Sequence, residues 1–213
     1  MIAPDSLMAF LVSLGNSSGR YMQTHWNPPV GGLAVAADGT LYVADRAENK
    51  VWKLTPGAKT KTLLAGTGEA GASGDLGPAT TAQLDWPTGL ALGQHGDLYI
   101  ADTQNNRIRK VDGSRGTITT AAGGASLSVP FGLTLRSDGT LFIADSGHNR
   151  ILEVLPSGDI LTVAGTGSEG YLGDGGPASG AKLSGPNAVV LDRTGQLLIA
   201  DSGNHRVRVV TGL

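Results

Sequence analysis

Four aspartates each follow a small apolar pair and precede a basic residue by five positions. They are Asp45 with Lys50, Asp102 with Arg107, Asp145 with Arg150 and Asp201 with Arg206, behind Val43-Ala44, Ile100-Ala101, Ile143-Ala144 and Ile199-Ala200. Four carboxylates in equivalent positions could gather round an axis and hold a cation, and the four basic residues could hold an anion. The same spacing also suits a structural part. An Asp ending a strand accepts backbone N–H bonds in an Asx-turn, and a Lys or Arg five residues on can return across that turn. A residue needed once per repeat is a fold residue, so these eight positions are read as structural.

Metal chemistry has few other donors. The histidines are His25, His95, His148 and His205. A catalytic metal needs about three convergent ligands and an open position, and no such set stands on the inner strands. His148 and His205 fall at or beside the hairpin position held elsewhere by Asn105 and Asn106, and read as turn residues. Ala34, Ala91, Thr134 and Val190 on the first strands predict a small, apolar axis. No catalytic residue and no cofactor is assigned. Calcium is the one cation considered, at two glycine-rich linkers. Gly74-Asp75-x-Gly77-Pro78-Ala79 is nearly repeated by Gly173-Asp174-x-Gly176-Pro177-Ala178. Each offers only Glu69 with Asp75, or Glu169 with Asp174, short of the six to eight oxygens that Ca²⁺ takes. The linkers therefore read as inter-blade loops, each with one short helical turn begun by Pro. Loops on a rigid scaffold carry binding, so Glu69, Asp75, Glu169, Tyr171 and Asp174 are the candidate binding residues of the loop rim.

The elements that position these residues recur with them. The aspartates are 57, 43 and 56 residues apart, a period typical of stacked modules. A Gly stands six residues before each Asp (Gly39, Gly96, Gly139, Gly195), and thirteen before it comes Gly32, Gly89, Gly132 or the departure Ala188. Pro29, Pro87, Pro130 and Pro186 lie just upstream. Between these marks run short stretches rich in β-branched residues and bounded by Gly, Pro, Asn and Asp, the pattern of strands and hairpins. Each repeat predicts four antiparallel strands, the second apolar on both faces and hence buried on both. Radially stacked sheets of this kind make a β-propeller. The expected fold class is all-β, a propeller of four-stranded antiparallel blades with four blades in this chain.

The pattern Pro-x-Gly-Leu-Ala-Val, Asp-Gly-x-Leu-Tyr-Val-Ala-Asp, Asn-Asn-Arg-Ile resembles the NHL repeat family of β-propellers over residues 27 to 213. The resemblance implies one domain, 1–213, with repeats at 27–85, 86–128, 129–184 and 185–213, and an N-terminal closing strand and linker at 1–26. The apolar run Met8 to Gly15 fits a fourth strand that completes the last repeat, which by itself supplies three. The family includes adaptors, RNA binders, sensor domains and a few enzymes, so fold alone does not assign function. Related amidating lyases use metal with His, Tyr and Arg, and that set is not matched here.

Composition narrows the classes. The net charge is −2, and the 16 Lys plus Arg are spread along the repeats. No basic patch for nucleic acid forms. No apolar run spans a membrane. Cysteine is absent, which leaves the compartment open between cytoplasm and an extracytoplasmic or secreted setting. The run Leu7 to Leu14 lacks the preceding Lys or Arg of a signal peptide. The expected function is a non-enzymatic, bacterial-type binding or scaffold propeller that presents inter-blade loops to a protein or peptide. The alternatives are a metal-dependent propeller lyase or hydrolase with its site at the axis, and a fragment of a larger array or an engineered repeat. A closed ring predicts a monomer; an open one predicts self-association through blade faces.

Overall fold

A computed structural model describes residues 30–213 of the chain. The strands are β1 Val30–Val35, β2 Leu41–Asp45, β3 Lys50–Leu54 and β4 Thr62–Ala65, then β5 Pro87–Leu92, β6 Leu98–Asp102, β7 Arg107–Val111 and β8 Ile118–Gly123. They continue as β9 Pro130–Leu135, β10 Leu141–Asp145, β11 Arg150–Val154 and β12 Ile160–Ala164, and end with β13 Pro186–Leu191, β14 Leu197–Asp201 and β15 Arg206–Val210. Each sheet is an antiparallel meander in sequence order: β1–β4, β5–β8, β9–β12 and the three-stranded β13–β15. These are the four blades of a β-propeller, all-β with only single 3₁₀ turns between strands. Residues 8–15, expected as the closing strand, lie outside the described residues.

Alternation assigns each blade two faces. In blade 2, Leu98, Ile100 and Val111 point one way, and Tyr99, Ala101 and Ile108 the other. The second face of each blade packs on the first face of the next. Tyr42, Ala44 and Val51 share a core with Leu90, Leu98, Ile100 and Val111. Ala101 and Ile108 share one with Leu133, Leu141, Ile143 and Val154. Phe142, Ala144 and Ile151 share the third with Val189, Leu197, Ile199 and Val210. Each fully buried Leu, Ile or Val in these layers contributes about 1.5–3 kcal/mol.

The inner strands β1, β5, β9 and β13 lie side by side in that order. Their closeness explains the recurrent glycine. A Cβ on Gly32 would sit 2.6 Å from the Thr88 carbonyl oxygen, one on Gly89 2.2 Å from that of Phe131, and one on Gly132 2.6 Å from the Cα of Ala188. The axis is therefore lined by backbone. Ala91, expected there, lies instead in the core between blades 2 and 3, because it alternates onto a blade face.

Candidate functional site

The linkers and the second-to-third-strand hairpins emerge on one end of the propeller, here called the linker face. The four repeated aspartates sit beneath it, each with no exposed surface. In blade 2 the Asp102 carboxylate accepts the Asp85 N–H (2.7 Å), the Asn105 side-chain amide (2.9 Å) and Arg107 Nε (3.0 Å). Asp145 accepts the Ser128 N–H (2.7 Å) and Arg150 Nε (2.8 Å), with His148 Nδ1 at 2.9 Å. Asp201 accepts the Ser184 N–H (2.7 Å) and the Asn204 amide (2.8 Å). Each of these three ties its hairpin to the linker seventeen residues upstream. Among the described residues Asp45 accepts the nearby Glu48 N–H at 3.1 Å. The basic residue five positions on meets its Asp in blades 2 and 3. In blade 1 Lys50 pairs with Glu48 at 3.8 Å, and in blade 4 Arg206 lies 4.4 Å over the Tyr171 ring. Burial raises the pKa of Asp102, against the opposing pull of its donors.

A second set of ties joins one blade to the next. Asn49, Asn106 and Asn149 sit in left-handed conformation (φ 51, 52 and 50°) at the hairpin tips. Their side-chain oxygens accept the backbone N–H of Trp86, Val129 and Gly185, at 2.9, 2.8 and 2.9 Å. Each donor immediately precedes the Pro that opens the following blade. Hydroxyls add to the joint: Thr103 donates to the Pro130 carbonyl at 2.8 Å, and Ser146 to that of Pro186. The matching residue of blade 1 is Arg46, whose guanidinium lies 5.9 Å from both the Trp86 and the Phe131 ring centres.

The two long loops are clamped by arginines that the sequence analysis did not single out. Arg109 is fully buried and places Nη2 2.9 Å from Asp75 and Nη1 3.7 Å from Asp102, donating also to the Gln83 carbonyl at 3.1 Å. Asp75 further accepts the Thr120 hydroxyl at 2.7 Å. Arg208 repeats the device, with Nη2 2.6 Å from Asp174, Nη1 3.7 Å from Asp201, and donation to the carbonyls of Lys182 (2.7 Å) and Leu172 (3.0 Å). Tyr171 donates its hydroxyl to Asp174 at 2.6 Å. The signal was in the chain: seven residues after each repeated Asp stand Trp52, Arg109, Leu152 and Arg208. Arg occurs in blades 2 and 4, each preceded by a long loop.

The candidate rim residues thus divide by task. Asp75 and Asp174 face inward to the clamps. Glu169 accepts the Ser184 hydroxyl at 2.9 Å, and Glu69 donates its amide to Thr67 at 3.2 Å. Among the described residues no three of His, Asp and Glu converge as a metal-binding group, and no helix is long and apolar enough to cross a membrane. Beside these exposed carboxylates the loops display apolar side chains. Leu76 is 83% exposed, and Leu172 and Tyr171 are exposed beside the second clamp. Leu76 also holds φ at +68°, where the sister loop has Gly175 at +80°.

Comparison with known proteins agrees with this architecture. The NHL repeat model matches residues 84–111 and 183–210, the hearts of blades 2 and 4. The chain is 39% identical over 106 residues to Protein SUPPRESSOR OF QUENCHING 1, chloroplastic, of Arabidopsis thaliana, covering 50% of this chain and 10% of that protein. It is 33% identical over 110 residues to human NHL repeat-containing protein 2, covering 51% and 14%. The chain thus spans only a small part of the length of these relatives. Among solved structures, a streptogramin B lyase superposes with a TM-score of 0.64 at 16% identity, covering 90% of this chain and 54% of that one. A nidogen/laminin complex gives 0.64 at 20% identity, covering 86% and 61%. At such identities the likeness is one of fold.

Proposed function

We propose that this chain, whose second and fourth blades carry NHL repeats, is a non-enzymatic binding module that offers its linker face to a protein or peptide partner. The observation that carries the reading is Leu76. A non-glycine residue in left-handed backbone costs on the order of 1 kcal/mol or more, and the sister loop avoids that cost with Gly175. Leu76 gains no compensating burial, being 83% exposed. A strained apolar side chain held outward on a loop anchored by a buried arginine is arranged for contact. Tyr171 and Leu172 extend the same chemistry on the second loop, and rigid aromatic and aliphatic anchors carry much of the energy at interfaces. Little ordering entropy remains to be lost when the loops are already fixed.

The test is a selection of random peptides displayed on phage against the purified protein. Peptides chosen by the wild type should lose tenfold or more in affinity against Leu76→Gly, whose thermal melt should stay unchanged or rise, and similarly against Leu172→Ala. Selected peptides that bind both variants as well as the wild type would refute the reading.

A further inference from the structure

The end of the propeller opposite the linker face holds a cavity on the seam between blades 2 and 3. It measures about 550 Å³, within the roughly 300–1,000 Å³ of small-molecule sites. The turn between β5 and β6 forms one wall, and the turn between β9 and β10 the other. A smaller hollow of about 160 Å³ continues it along the seam, and Tyr99 and Gly139 line both. Both blades are complete four-stranded sheets.

Two departures of blade 2 from its neighbours build this cavity. Three residues before the repeated Asp stand Tyr42, Tyr99 and Phe142 in blades 1 to 3. Tyr42 and Phe142 are buried, at 8% and 0% exposure, whereas Tyr99 is half-buried and lines the cavity. Gly93 leaves room for that ring, since a Cβ there would lie 3.1 Å from Tyr99 Cε2. The turns of blades 1 and 3 read Asp-Gly-Thr, and the Thr40 and Thr140 N–H groups donate to Asp38 and Asp138, both at 2.9 Å. Blade 2 reads His95-Gly96-Asp97 instead. His95 holds φ at +58° beside Gly96 at +81°, a conformation that costs a non-glycine residue on the order of 1 kcal/mol or more. It stands exposed on the lining of the cavity. Gln94 Nε2 donates to the Ser137 carbonyl at 2.7 Å and ties the two turns across the seam.

The lining carries charge, and each charge is already matched. Lys110 Nζ lies 2.7 Å from Asp97, whose other oxygen accepts the Gly113 N–H at 2.9 Å. Arg136 Nε lies 2.9 Å from Asp138, and its Nη2 lies 3.2 Å from Glu153 and 3.1 Å from the Thr140 hydroxyl. A charged ligand would have to displace one of these partners. A hydroxyl need not, because it can donate to a spare carboxylate lone pair and accept from a spare ammonium or guanidinium N–H. Such charge-assisted bonds are about twice as strong as neutral ones. We infer that the cavity binds a neutral sugar of one or two rings. Its hydroxyls bridge the Lys110–Asp97 and Arg136–Asp138 pairs, and its C–H groups lie against Tyr99, whose ring face is electron-rich. Lys110 already lies 5.7 Å from the centre of that ring, so the polar and the aromatic contacts fall side by side. His95 supplies a further donor or acceptor.

Amide NMR shifts locate the binding. In a panel of neutral pentoses, hexoses and their disaccharides at about 50 mM, the best member should shift the Gly93, Gln94 and Gly139 amides with a Kd of about 1 mM or tighter. Glutamate and citrate at matched ionic strength should not. Tyr99→Leu removes the ring, and blade 4 carries Leu198 at that position. Lys110→Met removes the cation, and Lys53, Glu153 and Val209 show that the position accepts varied side chains. Each variant should weaken the best sugar about tenfold or more with circular dichroism unaltered. Leu76→Gly on the linker face should bind the sugar as the wild type does, so the peptide reading and this one fail separately. Absence of a shift from every neutral sugar would overturn the proposal. So would tighter binding of glutamate or citrate, or wild-type affinity in both Tyr99→Leu and Lys110→Met.

Discussion

Replacing Arg109 by Leu separates the clamp from the blade, because Leu152 shows that a third strand of this fold accepts leucine at the same position. Arg109 is fully buried between Asp75 at 2.9 Å and Asp102 at 3.7 Å. Removing one member of a buried ion pair costs about 3–5 kcal/mol when its partner is left without compensation. Asp102 keeps Arg107 at 3.0 Å, which puts the loss at the low end. Asp75 can rehydrate, being 38% exposed on its side chain, and its surface pairing is worth under about 1 kcal/mol. Leucine returns part of the apolar contact. The net expectation is a loss of about 2–3 kcal/mol, a fall in melting temperature of about 5–10 °C for a chain of this size. The deficit should be full at pH 7. Burial already raises the Asp102 pKa, and loss of Arg109 raises it further. A group with a raised folded pKa adds stability at low pH and loses it as pH rises through that value, so the deficit should shrink toward pH 4. Amide exchange locates the effect. Leu76 and Ala79 donate to the Ile118 and Gly116 carbonyls, both at 2.8 Å, and should exchange faster. Thr166 and Lys182 in the sister loop, bonded at 2.8 and 3.0 Å, should not. A melting shift under about 2 °C, or equal opening of both loops, would refute the clamp.

Two further perturbations probe the axis and the turns. Gly89→Ala should destabilise by about 3 kcal/mol in urea unfolding, since the new Cβ would meet the Phe131 carbonyl oxygen at 2.2 Å. The reverse change Ala188→Gly, at an exposed position, should cost no more than about 1 kcal/mol. Equal effects at the two sites would contradict the close backbone contact. At low pH, hydrogen bonds from Ser114 and Arg115 hold the Asp112 pKa at about 2. Its folded pKa lies below the unfolded value of 3.8, so its contribution is present above that value and is lost as pH falls toward 2. Asp112→Asn should remove about 0.8 proton from the uptake on unfolding at pH 3, read from the pH dependence of the urea midpoint. An unaltered slope would refute that assignment.

The blades were legible because turn chemistry and strand patterning agree. Asp38-Gly39 and Asp138-Gly139 form the expected turns, with the glycines at φ +84° and +92°. The strands around Leu98–Asp102 and Arg107–Val111 fall where alternation put them. The reach of the repeated Asp was not legible. A local Asx-turn describes Asp45, but Asp102, Asp145 and Asp201 accept amides seventeen residues upstream, and nothing nearby in sequence marks such a bond. Arg109 escaped notice for a related reason: on a strand that mixes Arg and Lys with apolar residues, an Arg passes for a solvated residue until a loop is seen folding over it. The glycine thirteen residues before each Asp was visible as a repeat, yet its cause, a neighbouring backbone 2.2–2.6 Å from an absent Cβ, belongs to packing alone.

The clamp also carries a record of descent. Arg109 and Arg208 are 99 residues apart, as are Asp75 and Asp174, and Gly74 and Gly173. A chain that grew by copying single blades would have no reason to place the clamp in alternate ones. Copying a block of two blades would. On that view the duplicated unit is one short-linked and one long-linked blade, and positions that differ between its two copies diverged after the doubling. Leu76 against Gly175, Asn106 against His205 and Gly89 against Ala188 are such pairs. On this view the two halves began as equal copies and have since come to differ at the left-handed positions of their long loops and hairpin tips.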